Sequence, residues 1–185
     1  METSKKSRNI ALEKRQVEAA KLNPAHFAPL YNTYFKPIYI FIFKKVKNED
    51  LAGDITSKVF LKALLNIKKY KHMGFPFSSW LYRIASNEVN LHYRSQNKTT
   101  EVELLEKDVV TLLEEIKQPE DIKQQEIMLN ALNNLPLHTA ELIEMRFFEE
   151  RPFKEIANIL NITESNAKVK TYRILEKMKK LMKKN

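Results

Sequence analysis

The sequence predicts an all-α protein made of two small helical domains joined by a linker, the second of them a helix-turn-helix. Apolar residues recur at spacings of three and four along most of the 185-residue chain, as expected of amphipathic helices. Only two glycines, Gly53 and Gly74, occur, whereas sheet-rich folds need many tight turns. A hydrophobic fraction of 43% excludes a wholly disordered protein. Taken together, these observations indicate long helices joined by few loops.

The order of the predicted segments follows from shifts in composition. The first 23 residues form an N-terminal extension with no long apolar stretch, so neither a signal peptide nor a membrane span is expected. Residues 24–94 form the first helical domain, and residues 95–118 form an acidic linker with one short helix. Residues 119–185 form the second domain, with helices predicted over 122–134, 137–148, 153–160 and 164–182.

Within the first domain, three local signals define the helices. The polar residues from Asn48 to Asp50 precede an amphipathic stretch and are suited to cap it. The apolar run from Pro37 to Phe43 is too short to cross a bilayer and is expected in the core. Gly74 and Pro76 break the periodicity, which predicts a loop over His72–Phe77 and a further helix over Ser79–Arg94.

The sequence from Arg151 onward has the pattern of a helix-turn-helix. Pro152 is suited to the start of a short helix, and Ala157 permits a second helix to approach closely. Asn161 and Ile162 form the turn, and Thr163 is suited to cap the second helix. Apolar and small residues of that helix share one face, which leaves the polar and basic residues Ser165, Asn166, Lys168, Lys170 and Arg173 near the opposite face. This arrangement is typical of a recognition helix that contacts bases and phosphates.

Aromatic residues alternate with cations and amides near the end of the first domain. Such a pattern is typical of surfaces that hold unstacked bases. Trp80 is expected in the core, whereas Phe75 and Phe77 lie beside the loop and are candidates for contacting a flipped base. A hydrophobic contact that fixes the start of the next helix is an almost equal alternative for these two rings.

Charge and composition narrow the class of function. Residues 44–98 and 151–185 each carry a net charge of +7 and are separated by residues 99–126 and 127–150, with net charges of −6 and −3. Two basic blocks suit contact with a polyanion at two places, although solvated basic faces alone would have the same pattern. The chain has no cysteine, its four histidines are dispersed, and no phosphate-binding glycine motif occurs. We therefore expect a cytoplasmic protein with no catalytic site, metal or cofactor.

Two stretches resemble conserved regions of bacterial sigma factors. Residues 25–94, with the motif PFSSWLYRIASNEVNLHYR, resemble region 2, and residues 122–181, with LPLHTAELIEMRFFEERPFKEIANIL, resemble region 4. Having these two regions with almost nothing between them is similar to the extracytoplasmic-function (ECF) group. The chain departs from these relatives by carrying Ser57-Lys58 where Gln-Glu is common, and by a loop one residue longer between Tyr70 and Phe77.

The resemblance implies a function in transcription initiation. Region 2 would dock on the clamp helices of the largest subunit of core RNA polymerase, β′, through Asp54, Ser57, Lys58 and Phe60. Asp54 is then expected on the exposed face of its helix, opposite Leu51, Ile55 and Val59. The same region would capture a base of the melted minus-ten promoter element with residues that include Phe75, Phe77, Ser79, Arg83, Asn87 and Asn90. Region 4 would bind the β-subunit flap and read the minus-thirty-five element through Ser165, Asn166, Lys168, Lys170 and Arg173.

Alternative functions remain at this point. A stand-alone helix-turn-helix regulator would bind duplex DNA without polymerase, but it leaves the aromatic first domain unexplained. A nucleic-acid-processing enzyme is a second alternative, but the sequence contains no set of residues suited to catalysis. The resemblance leaves open whether an anti-sigma factor is a further partner, and it implies no insertion into a membrane.

Overall fold

A computed structural model describes residues 2–95 and 141–183, which fall into two compact units divided between His92 and Tyr93. All of the regular structure in these residues is helical, which confirms the all-α prediction. The predicted linker and the helix predicted over 122–134 lie outside the described residues. Each unit is considered separately below.

The first unit begins with two long helices joined by a short 3₁₀ turn. Helix α1 spans Glu2–Leu22 and is followed by a short 3₁₀ turn, Pro24–Phe27, which Asn23 caps by accepting a hydrogen bond from the Ala25 N–H. Helix α2 spans Ala28–Val46. The expected N-terminal extension is therefore a helix, and its Val17 and Ala20 are buried. This segment contributes to the core of the first unit.

Helices α3 and α4 complete the first unit. Helix α3 spans Glu49–Asn66, and the side chain of Asn48 accepts a hydrogen bond from the Leu51 N–H at 2.8 Å, as its polar start predicted. Helix α4 spans Phe77–Ser95. The ring of Phe41 in α2 packs against Tyr82 in α4 with centroids 4.9 Å apart. The apolar run of α2 is thus partly core, since Ile38, Phe41 and Ile42 are buried while Ile40 and Phe43 are exposed.

A loop joins the end of α3 to α4. After the 3₁₀ turn Ile67–Lys69, residues 70–76 have no regular structure, which confirms the predicted break. Gly74 adopts a φ of +83°, a conformation that glycine reaches without steric cost. The loop therefore turns where the glycine and Pro76 predicted.

The second unit contains the helix-turn-helix. Helical residues 141–143 lead into a π-helical turn, Glu144–Phe148. Helix α5 spans Phe153–Leu160 and helix α6 spans Glu164–Lys183, in agreement with the predicted segments. Ile156 and Ile159 of α5 are buried, as are Ala167 and Thr171 of α6. The two helices pack against each other.

Candidate nucleic-acid and polymerase interfaces

The turn between α5 and α6 fixes where the recognition helix begins. Asn161 ends α5 in the left-handed conformation with φ 55°, which asparagine tolerates better than most residues. The Ile162 N–H donates to the Ala157 carbonyl at 3.0 Å, which closes the end of α5. The Thr163 hydroxyl accepts a hydrogen bond from the Asn166 N–H at 3.1 Å, so Thr163 caps α6 as the sequence predicted.

The exposed face of α6 carries the residues expected to contact DNA. Ser165, Asn166, Lys168 and Arg173 are exposed, and Lys170 is half-buried. The opposite face is closed by Ala167 and Thr171, which are almost fully buried. The structure thus brings all five predicted side chains to one accessible surface, which we call the recognition face.

The sequence did not single out two apolar residues on the same helix. Val169 is 46% exposed and Tyr172 is 60% exposed, among the cations of the recognition face. Exposed apolar side chains beside polar ones suit contact with a thymine methyl group in the major groove. The sequence does contain a signal for them. Val169 and Tyr172 are three residues apart, on the side of the helix away from positions 167 and 171, where a solvated helix would carry polar side chains.

Local electrostatics restrain one cation of the recognition face. The Lys168 ammonium forms an ion pair with Glu164 at 2.7 Å, one turn earlier in α6. The same ammonium lies 6.0 Å from the centre of the Phe153 ring, and the Arg146 guanidinium lies 4.9 Å from that ring. Lys168 is therefore held close to α5 by an ion pair within its own helix and by the Phe153 ring.

Buried charge supports the start of α5. Arg151 is ion-paired with Glu149 at 2.5 Å and with Glu155, and Glu155 is itself buried. The Arg146 guanidinium donates to the Arg151 carbonyl at 3.3 Å. These contacts join the π-helical turn to α5 and hold the first helix of the helix-turn-helix in place.

The first unit presents part of the expected single-strand surface and buries the rest. Asn87 is exposed, while Phe75, Arg83 and Asn90 are half-buried. Phe77 and Ser79 are almost fully buried, at 1% and 2% exposed. Phe77 packs against Tyr34, Tyr70 and Trp80 with ring centroids 6.1, 5.2 and 5.5 Å apart. We therefore correct the expectation for Phe77 and Ser79: they belong to the core that supports the loop.

The outer face of α3 exposes three of the four residues that are expected to contact polymerase. Asp54, Ser57 and Lys58 are exposed, while Ile55 and Val59 on the other face are buried and Leu51 is half-buried. Phe60 is only 4% exposed because Tyr31 packs against it with centroids 4.9 Å apart. Phe60 is therefore a core residue that holds α3 against α2.

The outer face of α3 also exposes two large apolar side chains. Leu61 is 56% exposed and Leu65 is 71% exposed. Within residues 2–95 and 141–183, neither Asp54 nor Lys58 has an ion-pair partner, so the possible pairing of these two residues along the helix is not formed. We call Asp54, Ser57, Lys58, Leu61 and Leu65 the α3 surface.

Comparison with known families assigns these two units. Residues 30–99 match sigma-70 region 2, and residues 125–178 match sigma-70 region 4. The two matches together span more than half of the chain. The chain belongs to the sigma-70 family. Region 2 therefore contains α2, α3 and α4, and region 4 contains α5 and most of α6.

This sigma factor is similar to two proteins named as ECF sigma factors and to a third named as an RNA polymerase sigma factor. It is 29% identical over 174 residues to the ECF RNA polymerase sigma factor BldN of Streptomyces coelicolor. The aligned region covers 90% of this chain and 64% of BldN. It is 25% identical to the ECF RNA polymerase sigma factor SigM of Bacillus subtilis over 82% of this chain and 92% of SigM. The RNA polymerase sigma factor HrpL of Pseudomonas syringae is 33% identical over 66% of this chain and 68% of HrpL. This sigma factor thus spans less than two thirds of the length of BldN.

Solved structures share the fold. The structure of CnrH in complex with the cytosolic domain of CnrY matches with a TM-score of 0.60 and 16% identity, covering 94% of this chain and 98% of CnrH. The sigma factor RpoE, in complex with the anti-sigma factor NepR from Bartonella quintana, matches with a TM-score of 0.56 and 17% identity, covering 85% and 96% of the two chains. At this identity the likeness concerns the fold alone.

Neither a membrane-spanning helix nor a metal-binding cluster occurs in the part of this sigma factor that the structure describes. No helix there is both long enough and apolar enough to span a bilayer. No group of three or more histidine, aspartate or glutamate side chains there is arranged to hold a metal ion.

Proposed function

We propose that this sigma factor binds core RNA polymerase in the cytoplasm and directs promoter recognition and melting, with no catalytic site of its own. Its α3 surface would dock on the clamp helices of the β′ subunit, and region 4 would contact the β-subunit flap. The recognition face would bind the minus-thirty-five element as a duplex. The loop 70–76 and α4 would hold the melted minus-ten element. An anti-sigma factor that covers the α3 surface would be a further partner.

The observation that carries this proposal is the occurrence of two different surfaces on one chain. The recognition face combines a capped helix start with exposed polar and cationic side chains, the arrangement that reads base edges and grips phosphates in duplex DNA. The first unit instead presents a loop with its half-buried Phe75 beside amides of α4, which suits single-stranded bases. A protein that binds only duplex DNA has no use for the second surface.

The α3 surface supports a protein partner. Leu61 and Leu65 expose most of their side chains beside unpaired Asp54 and Lys58. Exposed apolar groups rimmed by charges are typical of protein interaction sites. The clamp helices of the polymerase are the partner that the family suggests, and an acidic Asp54 would complement a basic surface there.

The test is to ask whether promoter selection needs the polymerase. The purified chain alone is mixed with a library of duplex promoters, and binding is measured with and without core RNA polymerase at several salt concentrations. We expect weak, strongly salt-dependent binding by the chain alone, and sequence-specific initiation when core is added. Tight and promoter-specific binding by the chain alone would instead favour a stand-alone helix-turn-helix regulator.

A further inference from the structure

A single carboxylate on α1 joins three elements of the first unit. Glu13 is half-buried, and one of its oxygens accepts a hydrogen bond from the Tyr34 hydroxyl of α2. The other oxygen accepts a hydrogen bond from the Phe77 backbone N–H at 2.5 Å. Glu13 and Phe77 are 64 residues apart in the chain. The contact is therefore long-range and links the first helix to the start of α4.

The chemistry of this contact makes it strong. Phe77 is the first residue of α4, and the first N–H groups of a helix have no acceptor within the helix. A carboxylate at this end also interacts favourably with the positive end of the helix dipole. Because Phe77 is buried, loss of Glu13 would leave its N–H without this acceptor in a place that water reaches poorly.

Helix α1 also contacts the other end of the loop. The Lys21 ammonium lies 5.9 Å from the centre of the Tyr70 ring, and Tyr70 is the last residue before the loop becomes exposed. The Tyr70 and Phe77 rings pack edge to face with centroids 5.2 Å apart. Helix α1 thus contacts both ends of residues 71–76, whose side chains at His72 and Met73 are exposed and whose Phe75 is half-buried.

We propose that Glu13 is a positioning residue for base capture: by holding the start of α4 and Tyr34 together, it fixes the loop 71–76 in the geometry that receives an unpaired promoter base. This inference rests on the proposed function. Glu13 does not contact DNA in this account. It acts through the Phe77 backbone, which sets where the loop ends.

The proposal predicts which step of initiation depends on Glu13. Capture of one base requires the loop to hold a defined geometry, because misplacement of a binding group weakens only the contacts that this group makes. Binding of core polymerase uses the α3 surface, and duplex recognition uses α6 in the second unit. Loss of Glu13 should therefore reduce base capture and spare both other steps.

The experiment uses holoenzyme reconstituted from core polymerase and the full chain. Binding is measured to a set of fork-junction probes with a single-stranded minus-ten extension, each probe carrying one abasic site. We expect one position at which wild-type affinity falls about tenfold when the base is removed, as loss of one stacked base would cause. With Glu13→Ala, removal of that base should lower affinity less than about twofold, because the loop no longer holds it.

Three variants control for general damage. Glu13→Gln keeps a carbonyl oxygen for the Phe77 N–H. It should therefore retain the abasic penalty, that is, the loss of affinity caused by removing the captured base. Lys14→Ala removes an exposed charge next to Glu13 on the same helix that contacts neither end of the loop, and should behave as wild type. Tyr34→Phe keeps the ring and removes one of the two hydrogen bonds of Glu13, so it should show a reduced penalty even if Glu13→Ala fails to fold.

The outcomes separate the inference from the function on which it rests. A full abasic penalty in folded Glu13→Ala, or in Tyr34→Phe when Glu13→Ala does not fold, would overturn the positioning role and leave base capture intact. Absence of any abasic-sensitive position in wild-type holoenzyme would contradict the proposed base capture itself. If Lys14→Ala lost the effect of the abasic site equally, α1 would act through its general stability, which also contradicts a specific role for Glu13.

Discussion

Reversing the charge of Asp54 should weaken binding to core RNA polymerase without unfolding the protein. Asp54 is exposed on the α3 surface and has no ion-pair partner in the described residues, so Asp54→Lys should change the free energy of unfolding by only about 0.5 kcal/mol. Two unit charges 4 Å apart in a water-like environment interact by about 1 kcal/mol. Reversal replaces attraction by repulsion, so binding should weaken by about 2 kcal/mol, roughly thirtyfold.

The assay is competition between labelled wild-type chain and each unlabelled variant for core polymerase at fixed ionic strength. Lys58→Glu is the matched control, since Lys58 is exposed one turn away on the same surface and is likewise unpaired. It should leave the affinity unchanged or raise it, because the docking partner is expected to be basic. Thermal unfolding of both variants checks that the fold is intact. Wild-type affinity of Asp54→Lys would refute the assignment of docking to this surface.

The remaining predictions concern the recognition face and one half-buried tyrosine. Asn166→Ala should relax the preference for one or two promoter positions by about 1–3 kcal/mol, whereas Lys170→Ala should weaken binding to all sequences and lower the salt slope by about one unit. The two variants are compared on promoter libraries at several salt concentrations. An unchanged promoter preference in Asn166→Ala would contradict the assignment of this side of α6 to DNA. Glu164→Gln should strengthen DNA binding and steepen its salt dependence because it releases Lys168 from their ion pair; an equal or weaker salt slope would count against that competition. Burial, together with the nearby Glu13 carboxylate, raises the pKa of Tyr70 from its ordinary 10.0 to about 12, which means that the neutral phenol is favoured in the folded protein. The preference for the neutral phenol should stabilise the folded protein fully below pH 10, and this stabilisation should be lost as the pH rises towards 12. Titration of tyrosinate absorbance in wild type and Glu13→Gln measures the pKa of Tyr70. A normal pKa in wild type would contradict the burial.

The helix-turn-helix was predictable from the sequence because its signals are local. Pro152 at the start of α5 and Asn161 in the turn act on the backbone within a few residues, and the Thr163 cap contacts a residue three positions away. Periodicity then placed Ala167 and Thr171 on the buried face of α6. No long-range information was needed, so the predicted and observed helices agree.

The fate of individual aromatic side chains in the first unit depended on tertiary packing. The same composition at residues 75–80 suits a base-stacking surface or a core, and only the neighbouring Tyr34 and Tyr70 decide that Phe77 is enclosed. Phe60 shares a helix with the exposed α3 surface, but it faces Tyr31 of α2. Spacing within one helix gives the relative direction of side chains and does not reveal which neighbouring helix covers them.

The contacts of α1 could not be predicted from the sequence for a similar reason. Its sequence alternates charge with apolar residues and has no strong amphipathic pattern, so it was expected as an extension. The contacts of Glu13 with Tyr34 and Phe77 span 21 and 64 positions. Such pairs cannot be read from the spacing of residues along one segment.

Transcription from a promoter library by core RNA polymerase with and without the wild-type chain, together with binding of the chain alone to the same promoters, tests the central claim most directly. We predict that this sigma factor with core polymerase initiates from a defined subset of promoters that core alone does not use. The chain without core should show only weak binding that follows total charge and declines steeply with salt. Initiation by core polymerase that is unchanged by the chain, together with tight promoter binding by the chain alone, would contradict its action as a sigma factor.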